Sequence, residues 1–310
     1  SRKISDSIGS TRLRKMYCEK FNISYHEISR NIPDYRAKRI TSYLNLLNEL
    51  AEKKFEEFKK AAANKQQELK EYLNMLPERS ELKADLKALI NKHIDAAKAN
   101  ISKIDSTKIE KWFKENITRG SIDVNIMTKI DGEHYKKGER LPAEFNDAHA
   151  ALRGYANSDL SSAIVFSAGM NPSLYSYVEQ FDDFYPNSDG EIKKRIILKV
   201  SDYRSALIQG KFLAKKGLWV SEYRIESGLN CGGHAFATDG FLMGPILEEF
   251  KVNRQELNTT VNEMLKQALV SKGRTVPQND MVIKISAQGG VGTAEEHQFL
   301  IDNYGIDSVG

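Results

Sequence analysis

The residues best suited to chemistry lie in two glycine-bearing loops. Ala287-Gln-Gly-Gly-Val-Gly-Thr293 leads from a β-type run through glycines into a helical run. Backbone N–H groups in such a turn, with the positive end of the following helix, suit a phosphate dianion. The next β-type run, Ile306-Asp-Ser-Val309, ends at Gly310, so pairing of the two runs sets Gly310 beside Gly289 and Gly290. A plain glycine turn is the bland alternative. The second loop is Asn230-Cys-Gly-Gly-His234. Its paired glycines, Gly232 and Gly233, let backbone approach a flat ligand closely and leave His234 at the mouth. A neutral imidazole there could exchange a proton near neutral pH. Cys231 has no base set beside it by sequence, so a thiolate nucleophile is disfavoured. Lys199, at the end of another β-type run, could bring positive charge to the same mouth or simply face solvent. His93, His134, His149 and His297 show no metal-ligand spacing and His26 stands alone, so no metal site is expected.

The elements that must position these loops follow from composition and periodicity. The 310 residues are 40% hydrophobic and 28% charged, a globular balance. Two cysteines, Cys18 and Cys231, exclude a disulfide scaffold and fit a reducing, cytoplasmic setting. No run approaches the roughly 20 apolar residues of a membrane span. A net charge of +4 is too weak to argue for nucleic acid. The expected partner is a small-molecule substrate, with neither nucleic acid nor membrane; a homo-oligomer is compatible with the sequence.

These averages conceal a boundary near residue 120. Residues 1–120 hold two of the 20 glycines and 26 basic against 17 acidic residues; residues 121–310 hold 20 basic against 25 acidic. Glycine serves tight turns and is costly in helices, so the first region reads as helical. Apolar residues from Ile40 to Phe58 recur at three- and four-residue spacing, predicting a helix over 34–76 that Pro77 ends. Further helices are expected over 80–99 and 106–116, the last burying Ile109, Trp112 and Phe113. Glutamates interleave with the lysines, so the basic surface reads as solvated helix rather than a docking face.

After residue 120 short β-branched runs at 122–128, 162–168, 195–200, 218–225, 281–287 and 306–309 alternate with helical stretches at 173–181, 203–216, 245–272 and 294–303. That alternation predicts parallel βα units. No Gly-x-Gly-x-x-Gly follows a strand, whereas several strands end in polar or glycine-rich turns. The pattern favours a barrel, which gathers one site from many strand ends, over a doubly wound sheet. The expected class is therefore α/β, a (β/α)8 TIM-barrel-like fold that is incomplete in this chain. Its domains would be a helical insertion or appendage over 1–120 and about six strands of barrel over 121–310.

Together the loops resemble those of the nitronate monooxygenase (2-nitropropane dioxygenase-like) family of FMN-binding barrels and its flavin-dependent enoyl reductase relatives. The family's Gly-x-Glu-Ala-Gly-Gly-His is matched by Gly228-Leu-Asn-Cys-Gly-Gly-His234, and its Ala-x-Gly-Gly-Ile by Ala287-Gln-Gly-Gly-Val291. Its later strand running into glycine is matched by Ile306–Gly310, its Val-Asn strand by Asp123-Val-Asn-Ile126, and its Phe-x-x-Gly-x-Pro by Phe166–Pro172 with one extra residue. The match covers 121–310. It departs at Ser227–Asn230, where a glutamine and an acid are lost, and at Cys231. The resemblance implies FMN, with the phosphate at Gly289, Gly290 and Gly310, Asn125 bonded to the flavin, Gly232 and Gly233 admitting it, and His234 catalytic. It implies a nitronate-oxidising oxidoreductase; a flavin-dependent enoyl reductase and a non-catalytic barrel binding a phosphorylated ligand are the alternatives. It further implies two strands before Ser1, the helical region as an insertion between the second and third strands, and a lid within 131–159.

Overall fold

The computed structural model describes residues 11–64, 66–76, 80–98, 106–167, 169–226, 230–231, 234–235, 243–289 and 291–310. Gly232, Gly233 and Gly290 lie outside them. The chain divides into two compact units: residues up to Asn45 with Ser121–Gly310, and Leu46–Gly120. One boundary thus falls at residue 120. The other falls inside the first long helix, so the segment before Leu46 groups with the sheet rather than with the remaining helices.

The smaller unit is helical. Helix α1, Thr11–Phe21, belongs to the other unit, while α2, Tyr35–Asn64, contributes to both. Helices α3 (Gln66–Met75), α4 (Glu81–Lys98) and α5 (Ser106–Asn116) complete it. Its core is Leu69, Leu86, Ile109 and Phe113, with Phe58, Tyr72 and Trp112 against it. The Phe113 ring lies 5.2 Å from Tyr72 and 5.9 Å from Phe58, within the range of favourable aromatic pairing. Lysines on the surface pair with glutamates three or four residues away, as in Lys54–Glu57, Lys59–Glu56 and Lys111–Glu115.

The larger unit is built on a six-stranded parallel sheet. In chain order its elements are β1 (Val124–Met127), the short hairpin β2 (Tyr135–Lys136) and β3 (Glu139–Arg140), α6 (Asp147–Ala156), β4 (Ser162–Ser167) and α7 (Pro172–Tyr177). They continue with β5 (Lys194–Val200), α8 (Tyr203–Ala214), β6 (Val220–Glu226), the pair β7 (Asn230–Cys231) and β8 (His234–Ala235), α9 (Met243–Ser271), β9 (Lys284–Gln288), α10 (Ala294–Tyr304) and β10 (Ser308–Val309). The strands lie side by side as β1-β4-β5-β6-β9-β10. The order follows the chain and never reverses, so there is no switch point of the doubly wound kind. The fold is α/β. Among the described residues no strand precedes Val124, and β1 does not pair with β10.

Alternation along each strand sorts the side chains onto two faces. Ile164, Phe166, Ile196, Leu198, Tyr223, Ile225 and Ile285 join Leu152, Leu213 and Leu265 of the helices in the main core. Ala163, Val165 and Ile197, of opposite parity, form a separate cluster on the other face. Helices therefore cover one face, and the second is lined mostly by polar side chains.

Strands β1, β6, β9 and β10 begin later than their sequence suggests, and for β6 and β9 the reason is local. The Leu218 N–H is taken by Leu213 O in the turn that ends α8, where Gly217 has φ 75°. Met281 N–H and C=O are held by the Asn262 side chain of α9, and Ile283 N–H by Asn258. A helix thus satisfies the backbone there in place of a strand.

The segment 131–159, expected to hold a lid, carries the exposed β2–β3 hairpin and then the β1–β4 crossover helix α6. Helix α6 buries Ala148, His149, Ala150, Leu152, Tyr155 and Ala156, which is core packing rather than a mobile cover. Within the same unit, α2 lies against α6 closely enough that Thr41 Oγ1 donates to the Gly154 carbonyl at 2.8 Å.

Candidate functional site

The C-terminal ends of the strands bring a row of polar side chains to the helix-free face. Ser167 on β4, Lys199 on β5, Glu226 on β6 and Gln288 on β9 are each the last residue of their strand on that face, and Asn125 of β1, two residues before the exposed Met127, joins them. Ser167 Oγ donates to Asn125 Oδ1 at 2.7 Å. Lys199 Nζ and Glu226 Oε2 are 2.6 Å apart, with both side chains largely buried. Glu226 and Gln288 stand opposite each other in the β6–β9 register. Gln288 Oε1 is buried and has no hydrogen-bond partner among the described residues. Further down the same face Glu222 accepts from Arg224 and from Ser286 Oγ at 2.6 Å.

A cavity of about 440 Å3 lies at the other, N-terminal end of this face, lined by Asp123, Arg195, Ile197, Glu222 and Lys284 among others. In parallel α/β folds, open or closed, ligands gather at the carboxyl ends of the strands. The polar row, not the cavity, is the candidate site.

The sequence-predicted residues fare differently. Asn125 and Lys199 share the polar row, on strands separated by β4. Lys199 does not stand as an isolated positive charge, because Glu226 neutralises it. Gly289 and Gly310 are adjacent, but their amides are not free for a phosphate. Gly289 N–H donates to Gly310 O at 3.0 Å, and Gly310 N–H to Ala287 O at 2.9 Å. Gly289 has φ 103°, so it supplies the sharp turn at the strand end that other residues resist.

The start of α10 is also taken. Thr293 and Glu296 form a capping box, and Glu296 Oε2 receives the N–H groups of Gly292 (2.8 Å) and Thr293 (3.0 Å). Those bonds hold the Glu296 carboxyl below its ordinary pKa. A bound phosphate would have to displace this anion. Gly289 and Gly310 thus offer no free N–H in this arrangement, and Gly289 shapes the turn.

For His234 the backbone alone is described. Strand β8 pairs antiparallel with β7, with Cys231 opposite His234 and Asn230 opposite Ala235. The pair follows the C-terminal end of β6, next in chain to Glu226. The glycines called beside it, Gly232 and Gly233, and Gly290 of the later loop, lie outside the described residues.

Sequence reasoning missed Ser167, Glu226 and Gln288. Each closes its strand with a polar residue, and the inter-strand register sets all three on the face of Lys199. Among the described residues no group of three or more His, Cys, Asp and Glu could hold a metal ion. Nor, among them, is any helix long and apolar enough to cross a membrane. Comparison with protein-family models, with curated proteins and with solved structures gave no match.

Proposed function

We propose that the six-stranded sheet is of (β/α)-barrel type, binds FMN at the C-terminal strand ends and acts as an oxidoreductase of the nitronate monooxygenase type. The observation that carries the reading is the orphaned Gln288 Oε1, a buried acceptor in a polar row at the end of the sheet where such folds hold their ligands. A buried acceptor without a donor is costly, and an N–H on the edge of a flat ring would satisfy it. Winding of all six strands in chain order supports the barrel half of the reading.

The residues fit the ring end of the cofactor better than the phosphate end, where Gly289 and Gly310 offer no free amide. When bound, the flavin would supply two-electron redox chemistry. In this reading Gln288 and Asn125 orient the ring edge, and Lys199 with Glu226 keeps the floor of the site neutral. His234 exchanges a proton with the substrate carbon. Nitronate is the favoured substrate class, from the resemblance of the Gly-Gly-His loop; an enoyl thioester is the competing one.

The direct test is a titration of FMN with the full chain, followed by quenching of flavin fluorescence. Saturable quenching is expected, weakened roughly tenfold in Gln288→Leu, the loss of about one good hydrogen bond. Unchanged fluorescence at high protein concentration would sink the proposal and leave the phosphorylated-ligand reading. In the loaded protein, oxygen uptake with a nitronate against NADPH consumption with an enoyl thioester separates the two activities.

A further inference from the structure

We propose that Asp131, His149 and Ser173 form a separate reactive centre, in which Ser173 is an acyl-accepting nucleophile toward uncrowded carboxylic esters. His149 Nδ1 lies 2.7 Å from Asp131 Oδ2, and its Nε2 lies 3.3 Å from Ser173 Oγ. The two ring nitrogens thus face an acid and a hydroxyl on opposite sides, the arrangement that defines a Ser-His-Asp triad by geometry rather than by sequence position. The centre is independent of the flavin reading and uses none of its residues.

Chemistry fixes the proton. Burial raises the Asp131 pKa, but hydrogen bonds from His149, the Ala148 N–H and Asn146 outweigh it and hold the carboxyl below its ordinary value. An ionised carboxylate can only accept, so Nδ1 carries a hydrogen, and in the neutral ring Nε2 then offers its lone pair to Ser173. The imidazole is buried at 2% exposure, whereas Ser173 is exposed to solvent and to an incoming ester. Asp131 acts as the positioning residue.

The scaffold holds the three groups in place. Asp131 follows β1, Ser173 follows β4, and His149 sits on α6 between them. The loops that carry Asp131 and Ser173 are tied together. Thr128 Oγ1 donates to Gly169 O at 2.7 Å, and Asn171 Nδ2 to Thr128 O at 2.9 Å. Rigid support of this kind is what a nucleophile–base pair requires. The groups facing His149 are Asp131 from the loop, and Ser173 and the Tyr177 ring, 5.2 Å away, from α7. Arg153 of α6 stands behind, donating to Tyr177 Oη at 2.9 Å.

The step balances without a redox partner. Ser173 Oγ bonds to the ester carbonyl carbon while its proton passes to His149 Nε2. The bond to the leaving alcohol breaks, and the alcohol departs with that proton. A water molecule, deprotonated by the same nitrogen, then cleaves the acyl-serine to a carboxylic acid and restores Ser173.

The test treats the full chain with phenylmethylsulfonyl fluoride and with p-nitrophenyl acetate, and locates adducts by peptide mass mapping. A single adduct on Ser173 is expected, at a rate that falls as acid protonates one group. Ser173→Ala, at an exposed position, should give none. His149→Gln and Asp131→Asn should slow labelling by about 100-fold or more, the usual scale of general-base help. No adduct above the background of an ordinary serine, labelling elsewhere, or equal rates in a folded His149→Gln or Asp131→Asn protein would overturn the proposal. It would leave Asp131–His149 as a cap of α6. Should the buried His149→Gln variant fail to fold, pH-independent labelling of the unchanged protein would overturn it equally.

Discussion

Lys199 and Glu226 form an ion pair at 2.6 Å across β5 and β6, at the C-terminal strand ends, with side chains 13% and 7% exposed. Breaking a buried pair from one side is costly, typically about 3–5 kcal/mol, because it strands the other charge. Lys199→Met and Glu226→Gln should each destabilise the protein, and the double variant should lose much less than their sum. A coupling of ~1 kcal/mol or more is expected from urea melts of the four proteins. Additive losses would show that the pair carries no shared energy.

Gly154 marks the closest approach of α2 and α6. A β-carbon there would stand 2.7 Å from Ile40 Cβ and 2.9 Å from the Ala37 carbonyl oxygen. Helix propensity alone predicts that Gly154→Ala stabilises by about 1 kcal/mol. Overpacking against backbone typically costs about 1–3 kcal/mol, and we expect it to win. A stabilised Gly154→Ala protein in chemical denaturation would mean that the helices can separate at little cost.

Tyr223 and Tyr175 are both fully buried, yet they should respond oppositely to loss of the hydroxyl. Tyr223 Oη is buried with no partner among the described residues, while Tyr175 Oη donates to Gln209 Oε1 at 2.7 Å. Tyr223→Phe should therefore be neutral or stabilising. Tyr175→Phe should cost about 0.5–1.5 kcal/mol or more, since it also strands Gln209. Thermal melts of the two variants decide it; equal losses would contradict the hydrogen-bond assignment.

Lys194 is sealed in the helix-covered core, where its ammonium donates to the carbonyls of Tyr155 (3.1 Å) and Ser158 (2.6 Å). Burial lowers its pKa to about 8, from an ordinary 10.5. Between those values the unfolded chain holds a proton that the folded protein has released, so this group adds stability as pH rises from 8 toward 10.5. Below pH 8 both states are protonated and the folded state bears the cost of the buried charge. Stability relative to Lys194→Met should climb across that window in urea titrations. A flat difference would place the Lys194 pKa near its ordinary value.

Local pattern located most elements by itself, though not α1, α6 or the short β2–β3 and β7–β8 pairs. Three- and four-residue spacing located α5 around Ile109, Trp112 and Phe113, and β-branched runs located the strands of the main sheet, because burial of one face dictates residue type. The polar row of Ser167, Lys199, Glu226 and Gln288 was not legible in this way, because only the inter-strand register puts the four on one face. The tertiary structure alone decided what those residues do. Whether the N–H groups of Gly289 and Gly310 face a ligand or the carbonyls of Gly310 and Ala287 depends on the pairing of β9 with β10, which no local signal encodes. Lys199 gained its partner only when β6 settled beside β5. Residues before Leu46 joined the sheet because α2 found α6 across more than 100 residues of chain, through contacts such as Thr41 to Gly154. Asp131, His149 and Ser173 converge for the same reason: a crossover helix and two strand ends meet in space, and sequence spacing records none of it.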